Sequence, residues 1–201
     1  MKGLWSIILV VLIACQCVNA DSKDPNDPND PNDPNELLRV KWDAVITVLQ
    51  NKEIDQDARE KKINKIVDSI FDFPLMAKLA LGREHWPKLT PPQREKFTRL
   101  FIERLRNSYR EKISLYTDEK VQFKPAVKNN STVYITMELK SKDKKVAILH
   151  KLRKAGKRWK VYDVEIQGIS ILLTYRSQFD DILSRGTVED LLSRLEKRPT
   201  E

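Results

Sequence analysis

Two histidines, His85 and His150, are the only side chains in this chain of 201 residues whose ordinary titration falls near neutrality. His150 lies in a run of alternating apolar residues, and Asp163 and Glu165 stand in a neighbouring run of the same kind. A histidine steered by a carboxylate is half of a nucleophile-activating set, but no serine stands at a matching position, and no His, Cys or acidic residues recur at metal-ligand spacing. His85 adjoins Trp86 at a predicted helix end and reads as a packed or surface histidine. Only five glycines are present and none cluster, so no loop can cradle a phosphate. Asn129 and Asn130 each open an Asn-x-Ser/Thr sequence, which reads as a turn. Neither a catalytic residue nor a metal site is predicted, and the chain reads as a binding protein rather than an enzyme.

What must be positioned is therefore apolar surface, and the N-terminus says where it works. Met1 and Lys2 precede an uncharged apolar run, Leu4 to Ala14, and Val18-Asn19-Ala20 puts small residues before a cut at Asp21. Residues 1–20 are predicted to be a secretory signal peptide, with an apolar run too short for a stable membrane anchor. Leu12-Ile13-Ala14-Cys15 also fits a lipobox, which leaves a second route open in which Cys15 is lipidated and anchors the protein. Export removes nucleic acid as the partner of a basic chain and leaves membranes and other exported molecules. Beyond Ala20 there is no cysteine, so the core must hold the fold without disulfides.

Residues 24–35 repeat Asp-Pro-Asn four times, without apolar side chains to bury, and residues 21–35 read as a solvated spacer. The formal charge is +8; residues 1–35, with two Lys against five Asp, hold −3, which leaves +11 on residues 36–201. That charge suits anionic lipid headgroups or an acidic partner, or a well-solvated surface.

From Glu36 the apolar spacing is helical. Leu38, Trp42, Val45 and Leu49 form one stripe, and Ile63, Ile66, Val67, Ile70 and Phe71 a second. Asp72 and Pro74 open a third helix that Gly82 ends, apolar on nearly every side through Phe73, Leu75, Met76, Leu79, Ala80 and Leu81. Thr90-Pro91-Pro92-Gln93 is a capping box that opens a long fourth helix with Phe97, Leu100, Phe101, Leu105, Tyr109, Ile113 and Tyr116. The period then falls to two. Val121 and Phe123, a turn at Lys128-Asn129-Asn130, then Val133, Ile135, Met137 and Leu139 give two strands. Across a turn at Lys142-Asp143-Lys144 come Val146, Ile148, His150 and Leu152, and after Gly156 a last strand in which Trp159, Val161 and Asp163 alternate with Tyr162, Val164 and Ile166. Leu172, Tyr175, Phe179 and Leu183, then Thr187 before Leu191, Leu192 and Leu195, restore helical spacing. The predicted fold is α+β: a helical layer packed on a four-stranded antiparallel sheet. Its apolar surface exceeds what surface helices and one sheet face usually carry, and either a packed core or a cavity would account for it.

At this point the residues carry a likeness. Phe71-Asp72-Phe73-Pro74-Leu75-Met76-Ala77-Lys78-Leu79-Ala80-Leu81-Gly82, Trp86, and Thr90-Pro91-Pro92-Gln93-Arg94-Glu95-Lys96-Phe97 resemble the MlaC (toluene-tolerance) family. Trp159-Lys160-Val161-Tyr162-Asp163-Val164, Gly168-Ile169-Ser170 and Tyr175-Arg176-Ser177-Gln178-Phe179 continue the resemblance, which covers about residues 36–197. The resemblance implies an NTF2-like, cone-shaped fold enclosing an apolar cavity, and a periplasmic phospholipid carrier that maintains outer-membrane lipid asymmetry. Implied partners are phospholipid as cargo, an inner-membrane MCE-type ABC transporter and an outer-membrane lipoprotein complex; the carrier is expected to be a monomer without a cofactor. Under that reading the pocket residues are Phe73, Met76, Leu79, Phe97, Phe101, Leu105, Val133, Ile135, Met137, Val146, Ile148, Val161 and Leu172, with Arg83 and Lys88 at the headgroup mouth. A tethered adaptor that recruits a protein without lipid is the alternative. The Asp-Pro-Asn spacer and the lipobox are departures from the family pattern that bear on diffusion rather than on lipid binding.

Overall fold

The computed structural model describes residues 33–114, 120–140 and 145–197, with the backbone alone for 109–114. The signal segment, most of the spacer, the Lys142-Asp143-Lys144 turn, Tyr116 and the side chains of Tyr109 and Ile113 lie outside it. The last Asp-Pro-Asn triplet lies inside, and it starts a helix. Asp33 is the N-cap, accepting from the Asn35 N–H at 2.9 Å, and Pro34 takes the first helical position, where a missing N–H costs nothing.

Helix α1 (Pro34–Gln50) and α2 (Gln56–Ile70) form a hairpin; α3 (Phe73–His85) and α4 (Pro91–Ser114) follow, joined by a single 3₁₀ turn at Trp86–Lys88. The strands are β1 (Lys120–Phe123), β2 (Val127–Asn129), β3 (Thr132–Lys140), β4 (Lys145–Ala155), β5 (Arg158–Ile166) and β6 (Ile169–Ser170), and α5 (Ile171–Arg185) and α6 (Val188–Glu196) close the chain. The sheet is antiparallel in the order β1-β3-β4-β5-β6, with β2 also on β3. It therefore has six strands among the described residues where four were expected. The two additions are short: β2 turns into β3 at Asn130 (φ 53°), and β6 leaves β5 through Gln167 (φ 52°) and Gly168 (φ 80°). Two or three residues are too few to leave a periodic signal.

Expected caps are present. Asp72 accepts from the Leu75 N–H at 3.2 Å, and Thr90 and Gln93 exchange bonds at the start of α4. Helix α3 breaks at Gly82 (φ 80°, ψ 172°) but continues to His85. Beside the break the Leu79 carbonyl is met by Arg176 of α5, which donates from Nε (3.0 Å) and Nη2.

Apolar side chains gather in two clusters. One is made of helices alone: Phe73, Met76, Ala80 and Leu81 of α3, Phe97, Phe101 and Leu105 of α4, Leu172 and Phe179 of α5, and Leu191 and Leu192 of α6. The other lies between the α1–α2 hairpin and the sheet, joining Leu38 and Ile70 to Val133, Ile135, Leu152, Val161 and Val164. Phe71 and Ile171 touch both. Phe71 also bridges to Val161 at the sheet's edge, where the Asp72 N–H donates to the Val161 carbonyl at 2.8 Å.

Candidate functional site

Strand register sorts the sheet's side chains onto two faces. Val133 pairs with Leu152, Ile135 with His150, Met137 with Ile148 and Leu139 with Val146; across β4, Leu152 pairs with Val161, His150 with Val164 and Ile148 with Ile166. Paired residues share a face, so one face carries an apolar field to which β1 adds Phe123 and Val121, and β6 adds Ile169 opposite Ile166. The other face carries charge: Glu138 between Lys124, Lys140 and Lys145, and Lys151 between Asp163 and Glu165.

Cover over the apolar field falls along the strands. Val133, Leu152, Val161 and Ile135 are buried beneath the hairpin; two residues beyond Ile135, Met137 is still buried while Ile148 and Ile166 in its row are half-buried, as are Leu139 and Val146. Ile169, in the same row as Ile148 and Ile166, is 66% exposed, and Leu173 one turn into α5 is 57% exposed. The field thus runs from solid packing to a partly uncovered rim. Of the α1 stripe only Leu38 is buried, together with half-buried Leu37 beside it; Trp42, Val45 and Leu49 stay half-buried. Polar ties pin the hairpin over the closed end: Asn35 Nδ2 donates to the Lys124 carbonyl (3.3 Å), Lys160 Nζ to the Ser69 carbonyl (2.7 Å), and Arg106 pairs with Asp68 (2.6 Å).

The thirteen apolar positions predicted for a pocket divide between these surroundings. Val133, Ile135, Met137, Val146, Ile148 and Val161 do lie on the one sheet face. Phe73, Met76, Phe97, Phe101, Leu105 and Leu172 belong instead to the helical cluster, with Leu79 on its margin. There Phe97 and Phe101 leave no exposed surface and pack against each other and Phe179 at ring separations of 6.0, 5.4 and 6.1 Å. Those residues pack into the helical core. The mouth residues lie on the helical layer as well: Arg83 is exposed past the break in α3, and Lys88 is 3.5 Å from Glu84. Sequence reasoning left Leu139, His150, Ile166 and Ile169 out of the site, although the same alternation carries the first three.

His150 and Asp163 do not form a pair. The imidazole is on the apolar face opposite Val164, whereas the Asp163 carboxylate is on the other face, taken up by Ser170 Oγ (2.9 and 3.1 Å), the Leu172 and Val164 N–H groups (3.3 and 2.9 Å) and Lys151 (3.2 Å). It anchors the start of α5. Burial pushes the His150 imidazole down to about 4, so it is neutral near pH 7, and its Nδ1 is shielded from solvent without a hydrogen-bond partner. His85 is 3.3 Å from Asp180 on the helical surface. Among the described residues no cluster of His, Cys, Asp and Glu could hold a metal, and no helix is long and apolar enough to cross a membrane.

A hollow of about 480 Å³ lies elsewhere, along the outer side of α3 and α4, with Pro74, Trp86 and Ile102 in its lining. Its arginines are engaged: Arg94 donates to the Trp86 and Pro87 carbonyls (both 3.2 Å), Arg99 meets Glu103 (3.4 Å) and Arg106 meets Asp68.

Comparison with known proteins follows this architecture. No curated protein matches the chain in sequence. Among solved structures, the phospholipid-binding protein from Ralstonia solanacearum, in complex with a phospholipid, superposes with a TM-score of 0.72 at 25% identity, over 81% of this chain and 94% of that one. Residues 40–197, which hold the helical cluster, the whole sheet and the second cluster apart from Leu37 and Leu38, match the MlaC protein family, and the chain belongs to that family.

Proposed function

We propose that this chain is an exported phospholipid-binding protein that carries lipid between membranes, with the apolar sheet face as its acyl-chain site. The observation behind this reading is the graded face itself: a continuous apolar field, packed at one end under the α1–α2 hairpin and uncovered at the other. Each buried methylene contributes about 0.8 kcal/mol, so an acyl chain laid along this face is held without chemistry, and the step back to a membrane needs only motion. Helices α1 and α2 are the moving part, because the sheet's ladder hydrogen bonds make it the stiffer partner. The Ralstonia solanacearum protein supports the cargo, being solved with a phospholipid.

Residues 1–20 direct export to the periplasm, residues 21–32 act as a solvated spacer, and Cys15 is a second, lipid-anchored route. The charge of the body suits anionic headgroups. An inner-membrane MCE-type ABC transporter and an outer-membrane lipoprotein complex are the proposed donor and acceptor. Organic extraction of the purified full chain, followed by mass spectrometry, tests the reading: phospholipid at near one per protein is expected. Folded protein that yields clean extracts and takes up no phospholipid from vesicles would instead support an adaptor without cargo.

A further inference from the structure

We infer that His150 is a ligand-binding residue that hydrogen-bonds the acyl-ester group of the bound lipid through Nδ1, so that the cleft distinguishes ester-linked from ether-linked chains. This rests on the lipid reading above and deepens it.

Three observations carry it. First, the imidazole is set into an otherwise apolar face, between Ile135 and Val164 across the strands and Ile148 and Leu152 along its own. Second, Nδ1 is out of reach of water and has no hydrogen-bond partner, although leaving a buried polar atom unpaired is costly. Only the Ile135 backbone acts on the ring, and it leaves Nδ1 without a hydrogen bond, so a ligand that supplies a partner recovers that cost. Third, the depth fits. The row Met137–Ile148–Ile166–Ile169 holds the boundary between covered and exposed surface, and His150 lies two residues inside it on β4. Two strand residues span about 7 Å, and the headgroup layer of a bilayer is about 5–8 Å deep on each side. A lipid with its phosphate at the rim therefore brings its glycerol esters to the level of His150.

The chemistry fixes the tautomer. A diacyl phospholipid offers only hydrogen-bond acceptors at that depth, the ester carbonyls, so Nδ1 must carry the proton of the neutral ring and donate it. An ether-linked lipid of the same chains and headgroup lacks the carbonyl and leaves Nδ1 unpaired. The expected discrimination is about tenfold in affinity, the size of one neutral hydrogen bond that would otherwise go unmade.

The chain has two histidines, which makes the test direct. The full chain with ring-15N histidine is stripped of lipid and loaded with diacyl phosphatidylglycerol or its diether analogue. The His150 Nδ1 resonance should move on loading with the diester and stay near the unloaded position with the diether, while His85, paired with Asp180, stays fixed with both. In vesicle-transfer titrations His150→Phe should reduce diester affinity about tenfold, to the level of the diether. Identical His150 signals with both lipids, when both load, would overturn the assignment and leave the carrier function standing. Failure of both lipids to load overturns the carrier function, and the role of His150 with it, whereas loading of the diester alone supports the discrimination. The spectroscopic comparison uses the natural chain, so it decides even where His150→Phe folds poorly.

Discussion

His150 also has a consequence for stability. Its folded pKa, about 4, lies below the 6.5 of an unfolded chain, so between those values the unfolded state binds the extra proton. Stability from this group is complete above about pH 6.5 and is lost as pH falls towards 4, by at most about 3 kcal/mol. Chemical denaturation at pH 7 and pH 4.5 should show a drop that is smaller in His150→Phe; an equal drop in both proteins would place the pH dependence elsewhere. Strand alternation put His150 on the apolar face, and that much was legible from single residues. The pairing drawn with Asp163 was not, because β5 carries a bulge: Lys151 faces Asp163 and Leu152 faces Val161, which leaves Tyr162 unopposed. One extra residue reverses the parity beyond it. That is why Val161 and Val164, opposite by strict alternation, share one cluster.

At the scale of elements, caps and breaks were the most legible features, since each is written in a few adjacent residues. The last helix is closed by a capping box in which Thr187 Oγ1 accepts from the Asp190 N–H (3.2 Å) and Asp190 Oδ2 accepts from the Thr187 N–H (2.8 Å). Bonds from Thr187 hold the Asp190 carboxyl below its usual range, so this contribution is present above about pH 4 and fades as the carboxylate is protonated below it. Thr187→Ala should cost about 1 kcal/mol in denaturant titrations. Gly82 is more consequential than a helix stop. At φ 80° and ψ 172° it occupies a region essentially restricted to glycine, while a Cβ there would have 3.6 Å to the Arg176 Nε. Gly82→Ala should therefore destabilise by about 1–3 kcal/mol through backbone strain rather than a clash, and Arg176→Met should cost about 1.5–3 kcal/mol by leaving the Leu79 carbonyl without its charged donor.

For the whole molecule, the division into two clusters makes a test of whether stability and lipid binding are separable. Phe101 lies in the helical cluster with no exposed surface, and Phe101→Ala should cost about 3–5 kcal/mol whether or not lipid is present. Ile148 is half-buried at the uncovered rim, so Ile148→Glu should leave the circular dichroism spectrum unchanged and abolish lipid retention. Saturating phospholipid should raise the melting temperature of the natural protein by about 5–10 °C at a hundredfold excess over Kd, and leave that of Ile148→Glu unmoved. Retention of lipid by folded Ile148→Glu would remove the sheet face as the site.

Sequence alone determined the class of fold, the helix starts, the alternation of the long strands and the absence of a nucleophile set, because each is a local pattern of side-chain type. Tertiary structure decided which apolar residues are enclosed in the helical core and which stay partly uncovered on the sheet face. Phe97 and Ile148 are equally apolar in sequence, but one is enclosed in the helical cluster and the other is half-buried at the margin of the cluster between hairpin and sheet. Burial is set by what packs from outside the strand or helix, and apolarity along a single chain carries no record of that neighbour.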